Sequence, residues 1–554
     1  MSFSGLLDIT MANFIDTNIN QTVFLDINYL DVLGNNTFEY YLYQLLEQKN
    51  LLTDFHKRYK NKMAGRKAYP PELLLRIIFY AYYRGITSSR TIANLCKTDL
   101  KFMALAVGKQ PHFTTVADFV SSNSESIKIL FHRVLLICNE SNLIGKEYFA
   151  IDGCKLPTNA SKEWSGSHQE LKNKSDKMRA RAERIVDKHV DNDSSKNNDS
   201  GHHKKELQTI DTLLRNADKI DKFLAENKKR IGQSKQKKEV QSNITDNESC
   251  KMTTSKGTIQ GMTCVTAADE KHQIIIHAEA FGMGQEQATL KPMIEGIRKN
   301  LGDKVLSDGC KVTADTGFSS EVNMQYLYEE GIDAVIPDNQ FRQRDPIFSD
   351  SETYLKHKEK RKQTRKDKTT TRVIFSSDEF VVNFKNKMCV CPNGKQMLYV
   401  GDNFETANGP HMRFRGMLKD CRACPLQSQC MKHEVKQQGR QVSFLIKGKR
   451  KDSYLDLMKK KIDSEEGKRL YSRRMWVIEP VFGNICANKR LNRLSLRGTA
   501  KVTGQWLMYC MVHNIEKLWK NTEPQWVWVN RVQNSLVKAV ITEIGYYHGY
   551  KMKH

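Results

Sequence analysis

Three acidic residues stand in settings that metal-dependent phosphoryl transfer could use. They are Asp152 in Tyr148-Phe149-Ala150-Ile151-Asp152-Gly153, Asp315 in Val312-Thr313-Ala314-Asp315-Thr316-Gly317-Phe318, and Glu479 in Trp476-Val477-Ile478-Glu479-Pro480-Val481-Phe482-Gly483. The first two close short apolar or β-prone runs and precede a glycine or Thr-Gly, which predicts buried strands carrying carboxylates out at their ends. Asp before Gly is also an ordinary turn pattern, and Asp308 in Leu306-Ser307-Asp308-Gly309 shares it. Hard Mg2+ takes carboxylate oxygens and retains waters, so two Asp on adjacent strands with a Glu on a helix suit in-line displacement at phosphorus.

A second set of chemistry-bearing residues is sulfur-based. Cys391-Pro392-Asn393-Gly394-Lys395 and Cys421-x2-Cys424-x5-Cys430 offer four thiolates for a tetrahedral Zn2+, with Cys389 and His433 as spare ligands. The alternative is a reduced set of small buried residues.

The elements that must position these groups are legible in outline. Residues from about 37 to 145 predict helices with short connections: Pro71-Glu72 opens the apolar run Leu73–Tyr83 and Gly85 closes it, and another helix follows Thr87-Ser88-Ser89. With Arg66, Lys67, Arg84 and Arg90 on its surface this region would suit a helix-turn-helix on DNA, and a plain packing module would read the same. Strands are predicted at Gly261–Ala267, Gln273–Ala280, Lys304–Leu306 and Ala334–Ile336, with helices at Gln287–Asn300 and Ser320–Glu330 between them. Between Lys162 and Lys256 the composition turns polar, and Leu207, Ile210, Leu213, Leu214, Ile220 and Leu224 recur at helical spacing, which predicts one inserted helix or a helical hairpin. Strands at Arg372–Phe375 and Phe380–Phe384 precede the cysteines, a long helix is predicted from about Tyr471 through Gly483, and a last one over Val502–Lys520.

The division that follows has a helical DNA-binding unit over 1–145, a catalytic core over 146–161 and 257–340 resumed at 466–525, and a charged helical insertion over 162–256. A β-rich insertion with a basic arm and the Cys cluster fills 341–465, and 526–554 form a tail. The chain has 88 Lys+Arg against 63 Asp+Glu, a formal net charge of +25, which points to a polyanionic partner. Lys356–Arg372 holds nine basic residues against two acids and reads as a solvated loop or a phosphate-tracking arm. No apolar run is long enough for a membrane span and the N-terminus lacks a signal pattern, so a cytoplasmic protein is expected, associated with the nucleoid when on DNA. Of the 13 cysteines, eight are scattered singly and five lie between Cys389 and Cys430, which argues against a secreted disulfide framework. The late tryptophans Trp476, Trp506, Trp519, Trp526 and Trp528 read as core residues or as platforms for an unpaired base.

Taken in order, Gly65-Arg66-Lys67-Ala68-Tyr69, Gly85-Ile86-Thr87-Ser88-Ser89-Arg90, Phe113–Phe119, Ile151-Asp152-Gly153, Val265–His272, Ala314–Phe318 and Ile478–Gly483 resemble the motifs of DDE-type transposases of bacterial insertion sequences. The resemblance implies an α/β fold: an RNase H-like mixed sheet with flanking helices, interrupted by a helical insertion and a β-rich, Cys-containing insertion, after an all-helical N-terminal domain. It implies Asp152, Asp315 and Glu479 as catalytic ligands of Mg2+, with Mn2+ able to substitute, and prefers Asp315 to Asp308. Double-stranded DNA, both terminal inverted repeats and target, would be the substrate, and a homodimer would form on it. Tyr471 and Arg474 would contact phosphates, each one residue farther from Glu479 than the family spacing. Cys486 replaces the lysine expected after Glu479, leaving Lys489 and Arg490 as substitutes, with an ordinary solvated helix face as the other reading. A stand-alone nuclease and an inactive DNA-binding regulator derived from a transposase are the rival functions.

Overall fold

The computed structural model describes residues 27–522 apart from 49, 60–66, 194–199, 233–238, 256, 308, 353–354, 356–373, 407–408, 432, 434 and 447–452. Asp308, Arg66, the basic arm Lys356–Arg372 and the tail with Trp526 and Trp528 thus lie outside the described residues.

Every element described between residues 29 and 140 is a helix. The helix α1 (Pro71–Tyr83) starts on Pro71, whose missing N–H would have had no partner in a first turn anyway. It stops at Gly85, whose positive φ of 73° lets Ile86 N–H return to the Ala81 carbonyl at 2.8 Å. Ser88 caps the helix that follows by accepting from Thr91 N–H. The long helix α2 (Ser124–Glu140) ends this part of the chain.

A six-stranded mixed sheet forms the centre. Its strands are β1 (Tyr148–Pro157), β2 (Cys250–Thr254), β3 (Gly257–Asp269), β4 (Ile275–Phe281), β5 (Lys311–Ala314) and β6 (Ala334–Val335), in the order β6-β5-β1-β3-β2, with β4 also on β3. β3 pairs antiparallel with β1, β2 and β4, whereas β5 runs parallel to β1 and β6 to β5. The insertion after β1 is a helical hairpin, α3 (His168–Asp193) and α4 (Ser200–Glu226), cross-tied by Arg179 to Asp218 and Asp221 at 2.7 Å. Only the base of its apolar stripe is covered: Ile220 is buried, while Leu207 and Leu214 stay exposed.

The strand expected at Lys304–Leu306 is a 3-10 turn over Asp303–Leu306. Gly302, at φ 97°, turns the chain there, and Val305 and Leu306 are buried as an anchor. Of the strand expected over Arg372–Phe375, residues 374 and 375 are described and are not in a strand. The β-rich insertion itself is a five-stranded antiparallel meander: β7 (Val381–Asn383), β8 (Met388–Val390), β9 (Gln396–Thr406), β10 (Gly409–Arg415) and β11 (Gln441–Leu445). It has its own small core of Phe380, Cys389, Met397, Met412, Phe414 and Val442.

Three helices complete the central unit: α5 (Leu290–Leu301), α6 (Glu465–Phe482) and α7 (Thr499–Asn521). α6 begins earlier than the sequence suggests because Ser464 caps it by accepting from Gly467 N–H. Pro480 lies inside it, and the chain runs on into a π-helical turn over Gly483–Asn488. α7 is buried almost all round, as a helix enclosed by other elements must be. On one side Trp506 donates to the Val265 carbonyl at 3.3 Å, and Asn514 both accepts from Ile275 N–H and donates to Ile275 C=O, each at 2.9 Å. That pairing closes part of the outer edge of β4, which would otherwise present free strand groups. On the other side Tyr509 stacks on Tyr82 with centroids 4.1 Å apart, and Trp519 meets Phe38 edge-on. No described helix is long and apolar enough to cross a membrane.

Replacing Asn514 with Ala removes both partners of a buried peptide group, so Asn514→Ala is expected to cost roughly 2–4 kcal/mol. Equilibrium urea unfolding of the full chain reads this as a lowered midpoint, and a change smaller than about 0.5 kcal/mol would show that the edge is not held this way.

Candidate active site

The register of β1 against β5 decides where the carboxylates fall. Ile151 pairs with Ala314, so Asp152 and Asp315 each stand one residue further along adjacent parallel strands. β5 ends there, with Asp315 leading into a 3-10 turn over Thr316–Phe318. β1 does not end at Asp152, contrary to the sequence expectation. It continues to Pro157 because its other edge stays paired with β3, where Asp152 faces Thr266. Asp152 therefore lies inside a strand, at the point where the neighbouring strand departs.

α6 covers this face of β1. Tyr148 donates to the Leu470 carbonyl at 2.8 Å, which fixes the start of the helix over the strand. One turn on, Arg474 reaches Asp152 at 2.8 Å, and its other terminal nitrogen lies 3.8 Å from Asp315. Tyr471 donates to Asp315 at 3.4 Å. Both side chains were expected on DNA phosphates. Both are buried and turned toward the carboxylates instead. Burial works against the Arg474 charge, but Asp152, Tyr471 and Asp315 together hold its pKa above the ordinary arginine value. Burial likewise raises the Asp152 carboxyl, with Asp315 adding to it, and Arg474 and the Gly153 N–H pull only part of the way back.

A further carboxylate belongs to this place and was not singled out in the sequence. Glu286, in the connection between β4 and α5, lies close enough to Asp152 and Asp315 for both to raise its pKa, behind the larger effect of burial. Its Oε1 is 3.6 Å from where a Cβ on Gly153 would sit, and a Cβ on Gly317 would collide with the same carboxylate. Glycine at 317 thus leaves room for Glu286, whose carboxylate stands at ordinary contact distance from the Gly153 position. The Gly after an Asp was the available sequence signal, but it gave no hint of which side chain fills the space.

Glu479 sits on α6 and is exposed, as are Met475, Trp476 and Pro480 on the same stretch; Trp476 is 80% exposed. The structure thus separates the three expected ligands into a half-buried Asp pair and a solvent-facing Glu. No group of three or more His, Cys, Asp or Glu among the described residues is arranged to hold a metal ion as it stands. Asp152, Asp315 and Glu286 do offer the donor type a divalent cation takes, hard carboxylate oxygens, and a guanidinium already lies between the Asp pair.

One further expected phosphate contact needs correction, and Cys486 takes no such role. Lys489 is 1% exposed and forms an ion pair with Glu516, with Asn484 at 3.0 Å, so it faces the interior beneath α7. Burial lowers its pKa, with Glu516 opposing that shift. Cys486 turns inward to a thiol contact with Cys154 of β1, two residues beyond Asp152. Arg490 alone of the three remains exposed. Asp269 of the Val265–His272 motif has a backbone role, accepting from Gly145, Lys146 and Lys271 N–H at 2.9–3.0 Å.

Of the four cysteines proposed for zinc, Cys391 follows β8, and Cys421, Cys424 and Cys430 lie on two short helical turns between β10 and β11; all are free thiols lining one cavity. Cys389 is buried against Met397 in the small core and is not among the lining residues.

No curated protein and no solved structure matches this chain. Two family models do. One, described as "Transposase domain (DUF772)", matches residues 28–122, the helical region before α2. The other, "Transposase DDE domain", matches residues 390–519, from the end of β8 through α6 and most of α7, and so includes Glu479 while leaving Asp152 and Asp315 outside it. Two transposase family models on separate stretches of one chain support its kinship with the DDE transposases of insertion sequences.

Proposed function

We propose that this chain binds the terminal inverted repeats of its own element, cuts the DNA at their ends with Mg2+, and joins those ends to target DNA. The observation that carries the reading is the pair of carboxylates on adjacent parallel strands, Asp152 and Asp315, sharing one guanidinium from the helix that bears Glu479. The mixed sheet, with antiparallel strands on one side of β1 and parallel ones on the other, supports an RNase H-like core.

In this reading Asp152, Asp315 and Glu286 would hold the ion, with Mn2+ able to substitute, and Glu479 would supply a further carboxylate from α6. When bound, divalent ions activate the attacking water or 3′ hydroxyl and stabilise the leaving oxygen in an in-line displacement. Arg474 offsets part of the Asp pair's charge in the free protein, which eases the repulsion of two like charges in a half-buried place. Exposed Trp476, one turn before Glu479, offers a face for an unpaired base, and exposed Arg490 a phosphate contact. The net charge of +25 supports a polyanion as substrate. Cleavage at two ends favours a homodimer assembled on DNA. The inward turns of Cys486 and Lys489 favour, as a second reading, an inactive DNA-binding derivative.

Strand cleavage and joining on DNA carrying the element's ends separate these readings. Asp152→Ala, Asp315→Ala and Glu479→Ala are each expected to lose about a hundredfold or more of both reactions while retaining end binding, and Glu286→Gln about tenfold. A wild type that cuts without joining would be a nuclease, and one that binds without cutting would be the inactive derivative.

The Asp152 shift carries a pH dependence. Ion binding needs the carboxylate ionised, so it is present above the raised pKa of Asp152 and lost as pH falls through it. Arg474 lowers that pKa, so Arg474→Gln should raise it and move the acid limb of Mn2+ binding upward by roughly one pH unit. Calorimetric titration of Mn2+ across the acid range reads the midpoint, and an unchanged or lower one would remove Arg474 from this role.

A further inference from the structure

The β-rich insertion has too little core for its size. Six buried apolar side chains support a five-stranded meander spanning residues 381–445, and this cluster is separate from the main core of the protein. Units with so few buried side chains usually depend on a disulfide or a metal. There is no disulfide here, since every cysteine in it is a free thiol.

The remaining feature is a cavity of about 40 Å3 at the end of the meander, lined by Cys391, Cys421, Cys424 and Cys430, with Lys395 and Arg440 on its wall. Cys391 enters from a tight turn, accepting from Gly394 N–H at 2.8 Å and donating its own N–H to Lys395 C=O at 2.9 Å. Cys421 and Cys424 come from one helical turn and its end, and Cys430 from the next. Cys430 lies within electrostatic reach of the other three thiols and of Arg440. The backbone is shaped around one sulfur in particular: a Cβ on Gly416 would lie 2.6 Å from Cys421 Sγ, and one on Gly439 2.9 Å from it. Glycines at both places let two strand connections close over that thiol.

We propose that Cys391, Cys421, Cys424 and Cys430 form a structural zinc site that holds the β-rich insertion together. As they stand, no three of the sulfurs are arranged to hold an ion, so binding draws them in to the roughly 3.8 Å spacing that tetrahedral zinc thiolate requires. The exposed turns carrying Cys421, Cys424 and Cys430 are the parts that move. Four thiols bind one Zn2+ with release of four protons, leaving a core of charge −2 that Lys395 and Arg440 face across the cavity. No electron is transferred. This site is independent of the carboxylate site, and neither proposal needs the other.

Elemental analysis of the full-length protein, purified without added metal, is expected to give about one zinc per chain. Cys421→Ser and Cys424→Ser are expected to fall well below half that content, while Cys250→Ser, on β2, and Asp152→Asn keep it. Should the serine variants misfold, the wild type still gives an answer: zinc removed by a chelator and replaced by Co2+ should produce the visible and thiolate charge-transfer bands of a tetrahedral four-sulfur site. Zinc-free wild type, full zinc content in Cys424→Ser, or a cobalt spectrum without thiolate ligation would each overturn the proposal.

Discussion

Two carboxylates side by side on parallel strands repel each other, and much of the central unit is arranged around that repulsion. Burial and the neighbouring Asp315 both disfavour the ionised form of Asp152, and a cation beside it opposes them. In the free protein that cation is Arg474, and Arg474 is available only because α6 lies over β1, anchored by the Tyr148 bond to the Leu470 carbonyl. The position of α6 in turn sets where Glu479 and Trp476 emerge into solvent. A local electrostatic need thus fixes a tertiary relation between a strand and a helix far apart in the sequence.

The second organising element is α7. It is buried on nearly all sides because it packs against the sheet on one side and the N-terminal helices on the other, through Trp506, Asn514 and the Tyr82–Tyr509 stack. Lys489 shows the same pull toward the interior. Its pairing with Glu516 of α7 turns inward a cation that sequence spacing had assigned to DNA.

Much of this was legible in the sequence where a local rule decided the outcome. Pro71, Gly85 and Ser88 set helix ends by backbone chemistry alone, and the alternation of strands and helices gave the order of the core. The two aspartates were legible as a pair, and the register confirms their adjacency. The parts that were not legible depend on packing across long separations. Glu286 carries no motif of its own and stands by the Asp pair where Gly317 leaves space for its carboxylate. Asp152 was read as a strand end because the sequence shows only its own strand, whereas the neighbour that stops is β5. Spacing along α6 gave the right helix for Tyr471 and Arg474, but not the direction in which they turn, which the carboxylates dictate.

The main core is also built from the two far ends of the described chain. β1 is among the first strands made, yet its facing helix and the helix that seals the edge of β4 come from its last sixty residues. During synthesis the Asp pair therefore exists without Arg474, Glu479 or the cover of α7 while residues 316–473 are still being added. A polypeptide halted before α6 would hold exposed strand edges and an uncompensated pair of acids. Such a fragment should be a substrate for proteases and chaperones. The chain order thereby ties the closing of the carboxylate site to the late synthesis of α6.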